Sequence, residues 1–394
     1  MTASTREAPR QAIVARYLKA FAAVVAVVGV VVVSINLASF RMMTRPQNAA
    51  IVQLAEGWGR LYKPILYDAA DAEVAIFGAS FTRDAFDPET VERIVGMSAF
   101  NFAVSGGAPY ENRRFAQSAA GNPNLKAVVF NLDSFVPSPG NPKVSYGFDE
   151  SILNRRADGE PNRFVGLRRA AALALSGAAV GANVQMFWTL RRIAGGAARE
   201  DVLTSYERRD NTGLADEIAA ARAVLFPDVP PAGPPEALVL PRAAATSGLP
   251  ELDASIDVYC DRDIDIFVYL TPHSLGLCRQ PPALRAAALA YLRTRQRTCT
   301  ARLHLYDFQY PNAVTTEGVA SPVRLSLYYR PDGHPRPTVG DLMAAAMFER
   351  PFPAGTPAAL TDDFGADLMA VADPVAGWQR RLPRCHGLWP DGPS

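Results

Sequence analysis

The apolar positions of this chain fall into runs of three kinds. The longest, "AFAAVVAVVGVVVVSINLASF" from Ala20 to Phe40, holds 21 residues without a charge. At the helical rise it is about 31 Å long, the thickness of a bilayer's hydrocarbon core. Arg6, Arg10, Arg16 and Lys19 precede it against the single Glu7, and Arg41 and Arg45 come after it. That bias predicts a cytoplasmic segment over residues 1–19, a transmembrane anchor at 20–40 and export of the chain beyond residue 41. The competing reading is a cleaved signal peptide with Leu37-Ala38-Ser39 as its small-residue site; the length of the run favours an uncleaved anchor. A second uncharged run, Ala170 to Leu190, is mostly alanine, glycine and serine, contains Asn183 and Gln185, and has arginine pairs at both ends. Its drive into lipid is weak, so it predicts a small-residue helix packed within protein.

The remaining apolar runs are short and alternate with helical patterns. Val74–Phe77, residues 98–104, 126–133, 264–270 and 302–308 read as strands. Residues 87–96 ("DPETVERIVG"), 109–121, 282–297 and 336–348 read as helices, the first with the proline and early acid of a helix start. This alternation predicts an α/β domain over 72–394, with a doubly wound, mostly parallel sheet. Residues 41–71 read as a stalk, helical over 47–63. Residues 136–250 break the rhythm with Pro/Gly loops, the small-residue run and a charged helical stretch, and are expected to form a helical insertion.

Composition narrows the function classes. The 394 residues carry a formal net charge of +1, without the clustered basic face that phosphate backbones require, so nucleic acid is not expected as a partner. The four cysteines, Cys260, Cys278, Cys299 and Cys385, form no Cys-x-x-Cys pair, so no structural metal is expected, and no cofactor is implied. In an exported domain they are compatible with disulfides. Three complete pairings are open, and Cys260–Cys299, which flank one strand–helix unit, are the first expected to pair.

Chemistry in an open parallel sheet gathers outside the carboxyl ends of the strands. Those ends carry Gly78-Ala79-Ser80, Ser105-Gly106-Gly107, Asn131-Leu132-Asp133 and Thr271-Pro272-His273, and beyond the fifth strand lies "RPDGHPRPTVGD" with Asp332 and His334. A serine there becomes a nucleophile when a sharp turn exposes its oxygen and an imidazole takes its proton. It is otherwise a helix cap. Of the four histidines, His334 is the expected base. His273 is a second pocket candidate, His304 reads as structural within an alternating strand, and His386 as a surface residue of the tail. Arg83 and Asp84 read as a solvated ion pair, with substrate binding as the alternative.

The order of these residues resembles the SGNH/GDSL hydrolase superfamily, over residues 72–135 and 262–348. It is most similar to membrane-anchored bacterial SGNH-like proteins, through "IFGASFTRDAFDP", "NFAVSGGAPYENRRFA" and "DGHPRPTVGDLM". The resemblance implies a serine esterase or O-acyltransferase acting on an acylated envelope or secreted glycan. Ser80 would be the nucleophile, His334 the base and Asp332 its orienting carboxylate. The N–H groups of Ser80 and of Gly106 or Gly107 would bind the oxyanion. Two departures stand out. The family's Gly-x-Asn-Asp block reads Phe-Asn-Leu-Asp here, so its side-chain donor is a shifted Asn131 or is replaced by Asp133. The usual Asp-x-x-His is shortened, with Pro331 ahead of Asp332. Asp-x-His does occur in the distantly similar alginate O-acetylation proteins, where it precedes the serine. These departures leave open a non-catalytic subunit of a polysaccharide assembly or secretion complex. Whether a multi-span acyltransferase partner supplies the acyl chain is also open. The compartment implied is the cell inner membrane, with a single pass and a periplasmic C-terminal domain.

Overall fold

Four apolar residues, Val74–Phe77, form the strand β1, and all four are buried. Four more strands follow: β2 (Ala99–Asn101), β3 (Ala127–Asn131), β4 (Asp265–Leu270) and β5 (Arg302–Asp307). The structure is a computed structural model describing residues 7–54, 59–135, 144–145, 147–175, 177–196, 249–272, 282–309, 314–315, 328–329, 334–357, 364–365 and 367–370. Its five strands form one sheet in the order β2-β1-β3-β4-β5, every neighbouring pair parallel. The inner strands β1, β3 and β4 are nearly continuous in apolar residues because helices cover both faces, whereas the edge strand β5 alternates.

Period-two alternation divides the core into two layers. Val74, Ile76, Val129, Phe267 and Tyr269 point to the face covered by α5 (Pro88–Val95) and α11 (Pro337–Met347). Ala75, Phe77, Val128, Phe130, Ile266 and Val268 point to the other face. There they meet residues of α3 (Gly59–Ala70), α6 (Pro109–Ala119), α9 (Leu249–Asp257) and α10 (Pro282–Gln296). The chain leaves β1 toward β2 and leaves β3 toward β4, so strand order reverses between β1 and β3. The crevice at such a reversal is where α/β sheets bind ligands.

Several expectations change in detail. The run expected as an anchor is part of a longer helix, α1 (Glu7–Met43), of which Ile13–Met43 is long and apolar enough to cross a membrane. The stretch expected as a stalk folds as α2 (Pro46–Leu54) and α3, and Val52, Tyr62, Leu66 and Tyr67 sit in the core. Strand β2 has three residues rather than seven, although the Phe102 and Val104 N–H groups still donate to the Ile76 and Gly78 carbonyls, at 2.8 and 3.3 Å, as the chain enters the loop beneath the site.

The described part of the 136–250 insertion carries turns and an Arg155–Pro161 bridge over residues 147–164, followed by two helices, α7 (Val165–Leu175) and α8 (Gly177–Ala194). Both pack on α1, yet Leu175, Val184, Phe187 and Trp188 are exposed, so this run is packed on one side only. The charged stretch after residue 196 lies outside the described residues. Cys260 and Cys299 are joined in a disulfide, while Cys278 and Cys385 lie outside the described residues.

Candidate active site

The turn after β1 admits little besides glycine. A Cβ on Gly78 would fall 2.1 Å from Thr82 Oγ1, and one on Gly107 would fall 2.8 Å from the Gly78 carbonyl oxygen. The β2–α6 loop therefore packs directly on the turn that presents Ser80. The Ala79 N–H donates to Ser134 Oγ at 2.9 Å, tying the same turn to the end of β3. Ser80 then opens the short helix α4 (Ser80–Ala85).

The cap position of α4 is Ala79, and no side chain caps the helix. Ser80 is the first helical residue, and its hydroxyl is used elsewhere: Oγ lies 2.9 Å from His334 Nε2, across 254 positions of sequence. The imidazole stacks on Phe81 with ring centroids 4.4 Å apart, which fixes the plane in which Nε2 meets the serine. Nε2 accepts the serine proton when the ring carries its own proton on Nδ1. Hydroxyl and imidazole are thus within the reach that general-base activation needs.

Several elements hold this pair in register. Thr82 Oγ1 and Tyr269 OH share a buried hydrogen bond of 2.9 Å, which pins α4 to β4. Burial pushes the Tyr269 phenol well above its ordinary range, so it remains protonated. Asn101, at the end of β2, donates through Nδ2 to the Phe86 carbonyl at 2.8 Å, closing the far end of α4. Its own Oδ1 accepts from the Ala103 N–H at 2.9 Å. On the histidine side, a Cβ on Gly340 would fall 1.9 Å from the Ala85 carbonyl oxygen, so α11 touches α4 backbone to backbone. Residues 328–329 hold the segment that begins with His334: the Arg336 N–H donates to the Tyr328 carbonyl at 2.8 Å, and Tyr329 pairs with Pro335.

The expected oxyanion donors divide. The Gly107 N–H is spent on the Val104 carbonyl at 3.0 Å. The Asn131 side chain is buried; it donates to Thr271 Oγ1, and its Oδ1 accepts from the Ser134 N–H at 2.9 Å. Both are structural. The Ser80 N–H lies in the first turn of α4, where helices have no internal acceptor. Gly106, at φ +59°, holds the bend of the loop in a left-handed conformation that suits glycine. Among the described residues no acceptor takes the Ser80 or Gly106 N–H, so these two remain as candidate donors.

Asp133 accepts from the Thr271 N–H at 2.8 Å and from Gln309 Nε2 at 3.2 Å, strapping together the ends of β3, β4 and β5. Asp332, His273 and His386 lie outside the described residues. His304 lies on β5 as expected, between Asp367 at 2.8 Å and Asp265 at 3.3 Å. Arg83 and Asp84 do pair, at 2.6 Å, but both are buried rather than solvated, and Arg83 also donates to Ser105 Oγ. Beside them Arg60 donates to the Ser105 carbonyl at 2.9 Å and to Glu111 at 2.9 Å, fixing the loop that carries Gly106.

Sequence reasoning did not single out Asn101, Phe81, Ser134, Tyr269 or Gly340. Only Asn101 left a trace, as a polar residue inside an apolar strand pattern. Among the described residues no group of three or more His, Cys, Asp or Glu is placed to hold a metal ion. No protein-family model matches the chain, and neither a curated protein nor a solved structure matches it.

Proposed function

We propose that this chain is a membrane-anchored, SGNH-like serine esterase or O-acyltransferase that works on an acylated envelope or secreted glycan. The observation that carries this reading is the 2.9 Å contact between Ser80 Oγ and His334 Nε2, at the strand-order reversal of a parallel sheet. In the proposed reaction Ser80 Oγ attacks the ester carbonyl carbon while its proton passes to His334 Nε2. The tetrahedral oxyanion lies against the N–H groups of Ser80 and Gly106. Collapse breaks the ester C–O bond, the leaving hydroxyl takes the proton from His334, and an acyl-Ser80 remains. Water or an acceptor hydroxyl then attacks the acyl carbonyl carbon and gives its proton to His334; the acyl C–Oγ bond breaks, His334 returns that proton to Oγ, and free Ser80 and neutral His334 are regenerated. Asp332 is the proposed orienting carboxylate.

The proposed setting is the inner membrane, with a single N-terminal pass and the α/β domain exported. The basic bias ahead of the uncharged run of α1 and the Cys260–Cys299 disulfide support this. A multi-span acyltransferase partner is the proposed acyl source if the reaction is transfer.

A fluorophosphonate probe on the full chain tests the reading. Labelling at Ser80 is expected, with loss in Ser80→Ala and a fall of 10²-fold or more, as an order of magnitude, in His334→Gln. No labelling of the folded wild-type protein overturns the catalytic reading. A second reading, a non-catalytic SGNH-like subunit of a polysaccharide assembly or secretion complex, draws on the diversion of Asn131 and Gly107 into structural hydrogen bonds. It predicts an unlabelled Ser80 and a Ser80→Ala variant that still supports assembly.

A further inference from the structure

We infer that α7 and α8 form a second membrane contact, an interfacial element lying at the boundary of headgroups and acyl chains beside α1. The inference rests on the reading of α1 as a membrane span. Helix α8 has two stripes. Ala179, Asn183 and Met186 are buried against protein. Asn183 donates through Nδ2 to Asn36 Oδ1 of α1 at 2.6 Å, and its own Oδ1 accepts from Tyr62 OH at 2.9 Å. Asn36 in turn donates to the Ala174 carbonyl of α7 at 3.1 Å. This polar knot ties both helices to the carboxyl-terminal part of the span. It also satisfies an asparagine amide that would be costly to leave bare in lipid.

The other stripe consists of Val184, Phe187, Trp188 and Arg191, at the i, i+3, i+4, i+7 spacing of one helical face. Its three apolar members are about half exposed, and Leu167 and Leu175 of α7 are each 72% exposed. This surface adjoins α1, whose Val31, Ile35 and Leu37 are also exposed. The charge is one-sided as well: residues 165–194 hold Arg168, Arg169, Arg191 and Arg192 and no Asp or Glu. Arg169 is committed to Asp68, while Arg168, Arg191 and Arg192 are exposed. The Arg191 guanidinium lies 5.6 Å from the Trp188 ring centre. An indole beside a cation, at the edge of an apolar stripe, matches the interfacial belt of membrane proteins, and arginines without acids match anionic headgroups.

Spanning is a poorer fit. The 11 residues of α7 and 18 of α8 are about 16 and 27 Å long, and their axes turn by 64°. Arg169 also donates to the Pro64 carbonyl of the folded domain, holding the start of α7 on the water side.

The test uses the full chain in nanodiscs of phosphatidylethanolamine and phosphatidylglycerol, with a benzophenone amino acid placed singly at Phe187, Val27 or Glu92. Lipid adducts are expected at Phe187 within a few-fold of those at Val27, with none at Glu92 of the exported domain. Adducts at Val27 with none at Phe187 overturn the inference and leave the α1 span standing; no adducts at either overturn both. In cell membranes, a protein adduct at Phe187 in place of lipid also overturns it. The paired substitutions Arg191→Glu and Arg192→Glu are expected to lower the Phe187 lipid adducts several-fold. Unchanged adducts would overturn the role of anionic headgroups.

Discussion

Two side chains show at the residue scale how burial and partners set charge. Lys63 is fully buried, with Nζ donating to the Ala103 carbonyl. Burial, with nearby Arg83 adding to it, holds the ammonium well below its ordinary range. Between the depressed native value and about 10, where free lysine titrates, the unfolded chain binds a proton that the native chain does not, so stability rises with pH across that window. Urea unfolding between pH 7 and 10 is expected to show that rise. Lys63→Met is expected to flatten it, since the substitution removes the titrating amine. His304 behaves oppositely. Burial alone would lower its pKa, but Asp367 and Asp265 together raise it. A raised native pKa contributes stability fully below about 6.5, and the contribution is lost as pH climbs through the native value. Relative to wild type, His304→Asn should therefore lose stability at pH 5.5 and converge with it by pH 9. A constant difference across that range would refute the assignment.

Contact between α4 and α11 governs the candidate site at the scale of elements. Ser80 begins one helix and His334 lies just ahead of the other, and these helices meet where Gly340 faces the Ala85 carbonyl oxygen. Gly340→Ala must push backbone from backbone. It is expected to destabilise by about 1–3 kcal/mol, the usual cost of overpacking. Fluorophosphonate labelling of Ser80 should fall more than the loss of folded protein explains, because the 2.9 Å contact with His334 depends on this approach. Labelling that tracks only the folded fraction would show that the pairing of Tyr328 and Tyr329 with Arg336 and Pro335 positions His334 without the helix. Thr82 and Tyr269 supply a comparison on the other side of α4, since Tyr269→Phe removes their hydrogen bond without adding volume.

For the whole molecule, compartment and stability are linked through the disulfide. Cys260 and Cys299 close a loop with a sequence separation of 39, a constraint worth about 4 kcal/mol on chain-entropy grounds. Replacing both by serine is expected to cost about 2–4 kcal/mol in urea unfolding. Alkylation of protein from intact cells should find these two thiols blocked until reductant is added. Two free thiols in the native cell would remove the support for export, and a reporter fused at Ser394 that is active only in the cytoplasm would overturn the topology.

The α/β class, the five strands and the long N-terminal apolar helix were legible in the sequence because each rests on local periodicity: a long uncharged run, and short apolar runs spaced by helical patterns. Ser80 and His334 could be named for a similar reason, since the carboxyl end of a buried strand is a chemical address readable from its neighbours. Pairing Cys260 with Cys299 was legible because both flank one strand–helix unit. Tertiary structure alone decided where hydrogen bonds are spent. Asn131 and Gly107 have the right chemistry for an oxyanion, yet the ends of β3 and β2 consume their donors. Arg83 and Asp84, polar by sequence, are buried because the β2–α6 loop closes over them. The residues expected as a stalk pack into the core because α3 has an apolar face that the sheet covers. Gly340 looked like any helical glycine until α4 was found against it. Such assignments depend on partners many positions away, which no local pattern encodes; the strand-order reversal that joins Ser80 to a histidine 254 positions later exists only once the sheet has formed.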